Sequence, residues 1–465
     1  MSSDLSMQDP TKLKLFRLTW PIFLELLLFM MMGTADTLML SGVSDDAVAG
    51  VGFVNQFLFI CILVMEVVSN GASVVVSQYL GARRSEEASR IAALAITLNL
   101  LLGLAVSGGL LLFGDALLQR MNLHGVVLDH ARTYMGIAGG FIFIQALINV
   151  FSGLIRTYGF TRESMFIALG MNVLHVAGNA LLIFGNGGFP RMEVAGAAVS
   201  TVISRGVALV VFAWMLYRVM DVRMRPRDYV TFSEDIIRKI LRVGIPSALE
   251  QGTYQSCQAV FLYYVTFLGS TALASRQYAN AISQYVFLFS LAVGMGTAII
   301  VGRLVGARRS DDAFHQVFQS LKWAVAITVL VDVVVILVRV PLVGLFTHDG
   351  DIVQLTAKVI VLGLLLETGR SFNLVLVNAL RSAGDATFTV YMGFASMVCM
   401  SLPLGYFLVF KLELGLPGVW LAVAADEWVR GISMWLRWKS RVWEQKSLVT
   451  PATAQEPAAV AVASG

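Results

Sequence analysis

Leu80-Gly81-Ala82-Arg83-Arg84-Ser85-Glu86-Glu87-Ala88 and Val305-Gly306-Ala307-Arg308-Arg309-Ser310-Asp311-Asp312-Ala313 are one segment written twice, 225 residues apart. The register holds in both directions without a gap. Upstream, Gly71 meets Gly296, Asn55 meets Asn280, and Pro21 and Glu25 meet Pro246 and Glu250. Downstream, Arg156 and Gly159 meet Arg381 and Gly384. Prolines, glycines and charges matched at one constant offset are not a product of apolar composition, so the chain is read as an internal duplication. In each copy the segment reads as a helix end anchored by arginines, with the acidic pair opening the next helix.

The duplicated unit is a membrane unit. Of 465 residues, 57% are hydrophobic and 14% charged, against roughly 25% charged in soluble domains. The mean hydropathy is +0.75. One helical span needs about 20 apolar residues. The expected fold is therefore an all-α polytopic membrane protein of about twelve transmembrane helices. They are expected near 18–41, 49–79, 91–114, 131–155, 163–186, 195–218, 241–267, 274–304, 318–340, 352–379, 386–409 and 417–437.

Six helices per copy is an even number, so both copies enter from the same side as two parallel six-helix repeats. The expected organisation is an N-terminus over 1–17, an N-lobe over 18–218, a linker over 219–240, a C-lobe over 241–437 and a disordered tail over 438–465. Ser233, followed by Glu234 and Asp235, reads as a helix start near the linker's end. Arginines and lysines gather in alternate loops, which places those loops and both termini in the cytoplasm of a cell with the chain in its plasma membrane. The net charge of +4 is explained by that topology, and no nucleic-acid partner is expected. Cys61, Cys257 and Cys399 fall inside predicted helices and read as small core residues.

Ionisable groups inside a membrane are the first place to look for function. Asp36 lies in Gly33-Thr34-Ala35-Asp36-Thr37-Leu38-Met39-Leu40, among small residues that admit a neighbouring helix or water. A carboxylate there can exchange a proton or offer a hard oxygen ligand to sodium. Asp36 also shares a helix face with Glu25, three turns earlier. Asn172, His175 and Asn179 form a polar stripe on the fifth helix, and Glu367 and Arg370 can pair within the tenth. Glu25 and Glu250, kept at one offset from a proline in both copies, are open to a structural or a functional reading. Asp426, Glu427 and Arg430 read as a structural ion network, and Glu66, Arg276 and Asp332 have no assigned role. There is no phosphate loop, no HExxH and no CxxC, so an enzyme is not expected and active transport would draw on an ion gradient.

With Pro21, GTADTLMLSGV at 33–43, LGARRSEEA at 80–88, IRTYGFTR at 155–162, HVAGNALLIFG at 175–185 and LRSAGDAT at 380–387, the chain resembles the multidrug and toxic compound extrusion (MATE) family over about residues 10–445. The resemblance implies two six-helix lobes arranged as a V around a cavity, and antiport of organic cations or other drugs against protons or sodium. It maps the family's first-helix aspartate onto Asp36. It also implies departures. Where many relatives carry Asn and Asp in the fifth helix this chain has His175 and Asn179, and acids of NorM-type relatives in the seventh and tenth helices align with Tyr254 and Arg370. Asp36 is thus the expected coupling residue, with Glu25, Asn172, His175, Asn179, Glu250, Tyr254, Glu367 and Arg370 as candidate coupling or substrate contacts. No cofactor is expected beyond the coupling ion. The partners expected are small-molecule substrates and the bilayer, for a monomer. A lipid-linked oligosaccharide flippase of related fold and a non-transporting scaffold are the rival readings.

Overall fold

The computed structural model describes residues 13–449 apart from Asn122, Asp221 and Arg223; residues 1–12 and the stretch of the expected tail from 450 on lie outside the described residues. Among the described residues every regular element is a helix. Twelve are long: α1 (Leu15–Ser41), α2 (Asp45–Gly81), α3 (Ser85–Arg120), α4 (Gly125–Gly139 and Phe143–Thr157, bent by 47°), α5 (Thr161–Leu182) and α6 (Glu193–Arg218) in the first copy. The second copy holds α7 (Glu234–Thr266), α8 (Ser270–Gly306), α9 (Ser310–Leu337), α10 (Gly350–Ser382), α11 (Ala386–Lys411) and α12 (Leu416–Lys439).

The 225-residue offset governs the backbone as well as the sequence. α2 and α8 begin at 45 and 270 and end at 81 and 306, while α4 and α10 begin at 125 and 350 and end at 157 and 382. The loops repeat too: Arg83 and Arg308 have φ of 60° and 58°, and Gly159 and Gly384 have 98° and 95°. Each is the left-handed residue of a Schellman cap. The next amide reaches back to the helix, as Arg84 N to Tyr79 O (3.0 Å) and Arg309 N to Leu304 O (2.9 Å).

In the arginine segment, therefore, arginine and not glycine takes the left-handed position. Gly81 and Gly306 have a different task, for a Cβ on Gly81 would lie 1.9 Å from the Arg303 carbonyl oxygen, and one on Gly306 1.8 Å from that of Gln78. Only bare backbone lets α2 and α8 cross this closely. The same pattern places Gly71 against Ile240 and Gly244 against Val67. The two copies consequently meet at the end that carries the arginine segments, through α2 on α7, α1 on α8, and α2 on α8.

Among the described residues nine helices are long and apolar enough to cross a membrane, and the bent α4 makes a tenth. α7 and α12 fall short for identifiable reasons. α7 starts at Glu234, so the linker expected to reach 240 ends at 233, and its first two turns are rich in charge. Glu234 and Asp235 suit the positive end of the helix dipole. α12 carries Asp426, Glu427 and Arg430, all buried.

Two expectations are corrected. Cys257 is buried and Cys61 partly so, but Cys399 is exposed on α11 and is no core residue. The tail expected to be disordered from 438 is ordered through 449: Trp438 stacks on Trp443 at 4.1 Å, and both are fully buried. Beyond them the Leu448 amide donates to Gln78 Oε1 on α2 (2.7 Å), and the Leu448 side chain is buried with Tyr79 and Leu80. The carboxyl-terminal stretch thus straps the second copy onto the first, because its two tryptophans and Leu448 have apolar surface to bury.

Candidate functional site

Asp36 stands on the side of α1 that packs along α5 and is 6% exposed. Asn179 Nδ2 donates to its Oδ1 at 2.7 Å. His175 Nε2 lies 3.1 Å from the same oxygen and 3.2 Å from Thr201 Oγ1 on α6. Gly178 makes room for this meeting, because a Cβ there would strike Ser200 Oγ at 2.5 Å, and Ser200 in turn donates to the His175 carbonyl at 2.9 Å. His175 Nδ1 is buried without a partner. A bare ring nitrogen is cheaper to bury than an unpaired N–H, which assigns the proton of a neutral ring to Nε2 and makes it a donor to Asp36. Asn172 is not brought to this group; its amide donates to the carbonyl of Ala168, one turn back (3.0 Å).

One further charge was not singled out by the sequence. Arg205 on α6 has Tyr134 and Asp36 as its electrostatic neighbours, and its Nε is buried without a hydrogen-bond partner. Hydropathy averages away a single arginine in an apolar run. The 225-residue offset would have exposed it, since Arg205 corresponds to Arg430.

Glu25 and Glu250 occupy equivalent places and make equivalent bonds. Arg156 Nη1 donates to Glu25 at 2.8 Å, and Arg381 Nη2 donates to Glu250 at 2.6 Å, each pair 131 residues apart in sequence. Glu25 is fully buried and also accepts from Ser164 (2.9 Å). Each pair ties the first helix of a repeat to the carboxyl-terminal end of the fourth, so the geometry shows a clamp built twice. Glu66 on α2 is a further electrostatic neighbour of Arg156.

The second copy replaces the compact Asp36 group with a network. Arg370 Nη1 lies 2.8 Å from Glu367 Oε1 and 3.1 Å from Oε2, and Ser283 on α8 donates to the same Glu367. Arg370 Nη2 reaches the Tyr254 hydroxyl on α7 at 3.4 Å, which also accepts from Gln258 (3.0 Å). Gln258 in turn accepts from Arg276 (3.2 Å). On the other side Arg370 Nε is 3.7 Å from Glu427 of α12, which pairs with Arg430 at 2.8 Å and accepts from Asn373 at 2.9 Å. Arg430 also holds Asp426 (2.9 Å), which accepts from Ser396. Glu367, Arg370 and Tyr254 therefore share one cluster; Glu250 is bonded to Arg381 and is an electrostatic neighbour of Arg430 at its edge. Each of the three carboxylates Glu367, Asp426 and Glu427 has a guanidinium within 4 Å, as burial at this depth requires. The apolar groove between α7 and α11, lined by Leu249, Gly252, Ser256, Phe394 and Val398, runs along the other face of α7 and holds no charge.

Comparison with known proteins agrees with both the duplication and the fold. The MatE family model matches twice, at residues 21–181 and 246–407, with starts 225 residues apart. The chain is 41% identical to "Uncharacterized transporter YisQ" of Bacillus subtilis over 93% of this chain and 95% of that protein. It is 26% identical to "Probable multidrug resistance protein NorM" of Thermotoga maritima, over 94% of each. In three dimensions it resembles "Crystal structure of MATE in the bent conformation" with a TM-score of 0.86 at 24% identity, covering 96% of this chain and 98% of that one. A transporter of the MOP superfamily from Pyrococcus furiosus, titled for the reverse polarity of its binding pocket, superposes with a TM-score of 0.85 at 23% identity, over 94% of this chain and 97% of that one. Twelve helices in two parallel repeats, a duplicated family match and relatives that span its whole length make this chain a member of the MATE family of membrane efflux transporters and not an enzyme.

Proposed function

We propose that the protein is a secondary antiporter that exports small amphipathic or cationic compounds, drugs or toxic metabolites, in exchange for protons, working as a monomer by alternating access between its lobes. The names of its NorM relatives support the substrate class. The observation that carries the coupling is Asp36: a buried carboxylate at the α1–α5 contact, held by Asn179 and His175. Loading a proton on Asp36 removes the charge those donors answer to, which loosens α1 from α5. Sodium is the other coupling ion the sequence allows. The two groups that meet Asp36 Oδ1 are nitrogens, of Asn179 and His175, and not the oxygen ligands a hard cation such as sodium needs, and this favours the proton.

In this reading the arginine-segment end and both termini face the cytoplasm of the plasma membrane, and the packed state is the one closed on that side. The deciding experiment is efflux of a fluorescent cationic dye from proteoliposomes under separately imposed proton and sodium gradients, for the parent and Asp36→Asn. A proton gradient alone should drive efflux, and the substitution should abolish it. Unchanged flux in a correctly inserted Asp36→Asn protein would remove Asp36 from the mechanism.

A further inference from the structure

Among the described residues Asp332 on α9 is the buried acid of the second copy for which the structure gives no bond. It is 5% exposed, and its Oδ2 is buried with no hydrogen-bond partner. Its electrostatic neighbours are Glu367 and Arg370. α8, packed beside α9, brings two hydroxyls here, Ser283, bonded to Glu367, and Ser290, 3.3 Å from Thr328 one turn below Asp332, and carries Arg276, which bonds Gln258. Arg339, on the short helix Arg339–Gly344 that follows α9, donates to the carbonyl of Ile336 (2.6 Å).

The bonds of Arg370 go to groups other than Asp332. Its Nη1 bonds both oxygens of Glu367, its Nη2 the Tyr254 hydroxyl, and its Nε points towards Glu427 at 3.7 Å, so none of these contacts answers Asp332. Arg430 is likewise shared between Asp426 and Glu427. Four carboxylates, Asp332, Glu367, Asp426 and Glu427, thus face two guanidiniums. Even Arg276, connected through Gln258 and Tyr254, leaves one negative charge in excess. An uncompensated charge at this depth costs several kcal/mol, so the cluster must hold at least one proton. The carboxyl group whose oxygen lacks any donor is where the proton meets least competition.

We propose that Asp332 is a proton-carrying residue, so that the junction of α8, α9 and α10 is a second proton site, in the lobe opposite Asp36. In this state Asp332 is the neutral acid. When its O–H proton leaves to water, the new carboxylate competes with Glu367 and Glu427 for Arg370. Arg370 ties α10 to α7 and α12 beside the bonds of Arg381 to Glu250 and Asn373 to Glu427, so proton release is converted into a weakening of one of the links among those three helices.

The proposal rests on the proton-antiport reading for its role in transport, but its first test does not. Infrared difference spectra of the full chain in lipid nanodiscs, titrated through neutral pH, read protonated carboxyl groups directly. The parent should show a carboxylic C=O component that Asp332→Asn lacks and that Asp385→Asn, whose carboxylate pairs with Arg437 outside this cluster, keeps. Proton uptake on acidification should fall by one per protein in Asp332→Asn, and dye efflux driven by a proton gradient should fall at least tenfold. An unchanged infrared component and proton count in a folded Asp332→Asn protein would overturn the assignment. Should that variant fail to insert, Asp332→Glu decides: the component must shift in frequency, and an unshifted one overturns it. Loss of the component with undiminished efflux would equally overturn the role in transport, whatever Asp36→Asn does.

Discussion

The closest backbone contact between the two repeats gives the sharpest prediction. At Gly81 a single methyl would stand 1.9 Å from the Arg303 carbonyl oxygen, and at Gly306 1.8 Å from the Gln78 carbonyl oxygen. A carbon and an oxygen settle near 3.3 Å at closest, so Gly81→Ala or Gly306→Ala must push α2 and α8 apart by about 1.4 Å. Both obstacles are main chain and cannot rotate away. The nearby bonds from Gln78 to the Ser382 carbonyl (2.6 Å) and from Arg303 to the Thr157 carbonyl (2.7 Å) would stretch with them. Overpacking of this kind costs about 1–3 kcal/mol. That cost falls on the packed state alone, so it shifts a two-state equilibrium by about 5- to 150-fold towards the state open at this end. The assay is alkylation of a cysteine at Ser382, buried in this contact, by an impermeant maleimide in a background lacking Cys61, Cys257 and Cys399. Both alanine variants should label at least fivefold faster than the parent. Gly52→Ala, on the same helix with nothing within 4 Å, should not. Parent-like labelling and parent-like melting of both variants would refute the argument.

Two further outcomes follow from the same contacts. Glu25→Gln leaves Arg156 short of its fully buried partner and should destabilise by about 3–5 kcal/mol, and Glu250→Gln, whose pair with Arg381 is a little more exposed, by somewhat less; thermal melting in detergent, with the charge-reversed double variants as rescue, checks both. Trp443→Ala removes a stacked, fully buried indole from the carboxyl-terminal strap and should cost about 3–5 kcal/mol, while freeing residues 447–449 for proteolysis; resistance equal to the parent would show that the strap is not held by this contact.

How far the sequence could be read depended on the range of the interaction. Helix number, the repeat and the Pro21–Pro246 register are carried by local composition and one constant offset, and all are visible in a single chain. Partners were not legible where they depend on which helices touch. Glu25 and Arg156 each matched their copies, yet nothing in the sequence says that they meet 131 residues apart. Asn172 sits on the same stripe as His175 and Asn179, but one turn from Asp36 is enough for it to bond its own helix instead. The order of residues 442–449 is not legible because its anchor is a Trp, a Leu and the side-chain oxygen of Gln78 on another helix, with no periodic pattern in the strap itself. Cys399 lies in an apolar run and is exposed all the same, since a membrane helix carries apolar residues on its outer face as well.

The repeat also separates what both lobes need from what each does alone. Arg205 and Arg430 descend from one position in the sixth helix, but their surroundings have diverged. Arg430 is held by Asp426 and Glu427 on its own helix, where the first copy has Thr201 and Val202. Arg205 instead faces Asp36, delivered by α1, where the second copy has Phe261. Arg430→Gln therefore strands two buried carboxylates and should cost about 3–5 kcal/mol of stability. Arg205→Gln leaves Asp36 with its bonds from Asn179 and His175, and should cost no more than about 1.5 kcal/mol, the net worth of one ordinary polar interaction. Its effect should fall on coupling: with the fixed cation gone, the charge balance at Asp36 changes and efflux driven by a proton gradient should fall. Melting temperatures and gradient-driven dye flux measured side by side decide the matter. Equal destabilisation by the two substitutions, with parent-like efflux for Arg205→Gln, would mean that the two arginines still serve the one ancestral structural purpose.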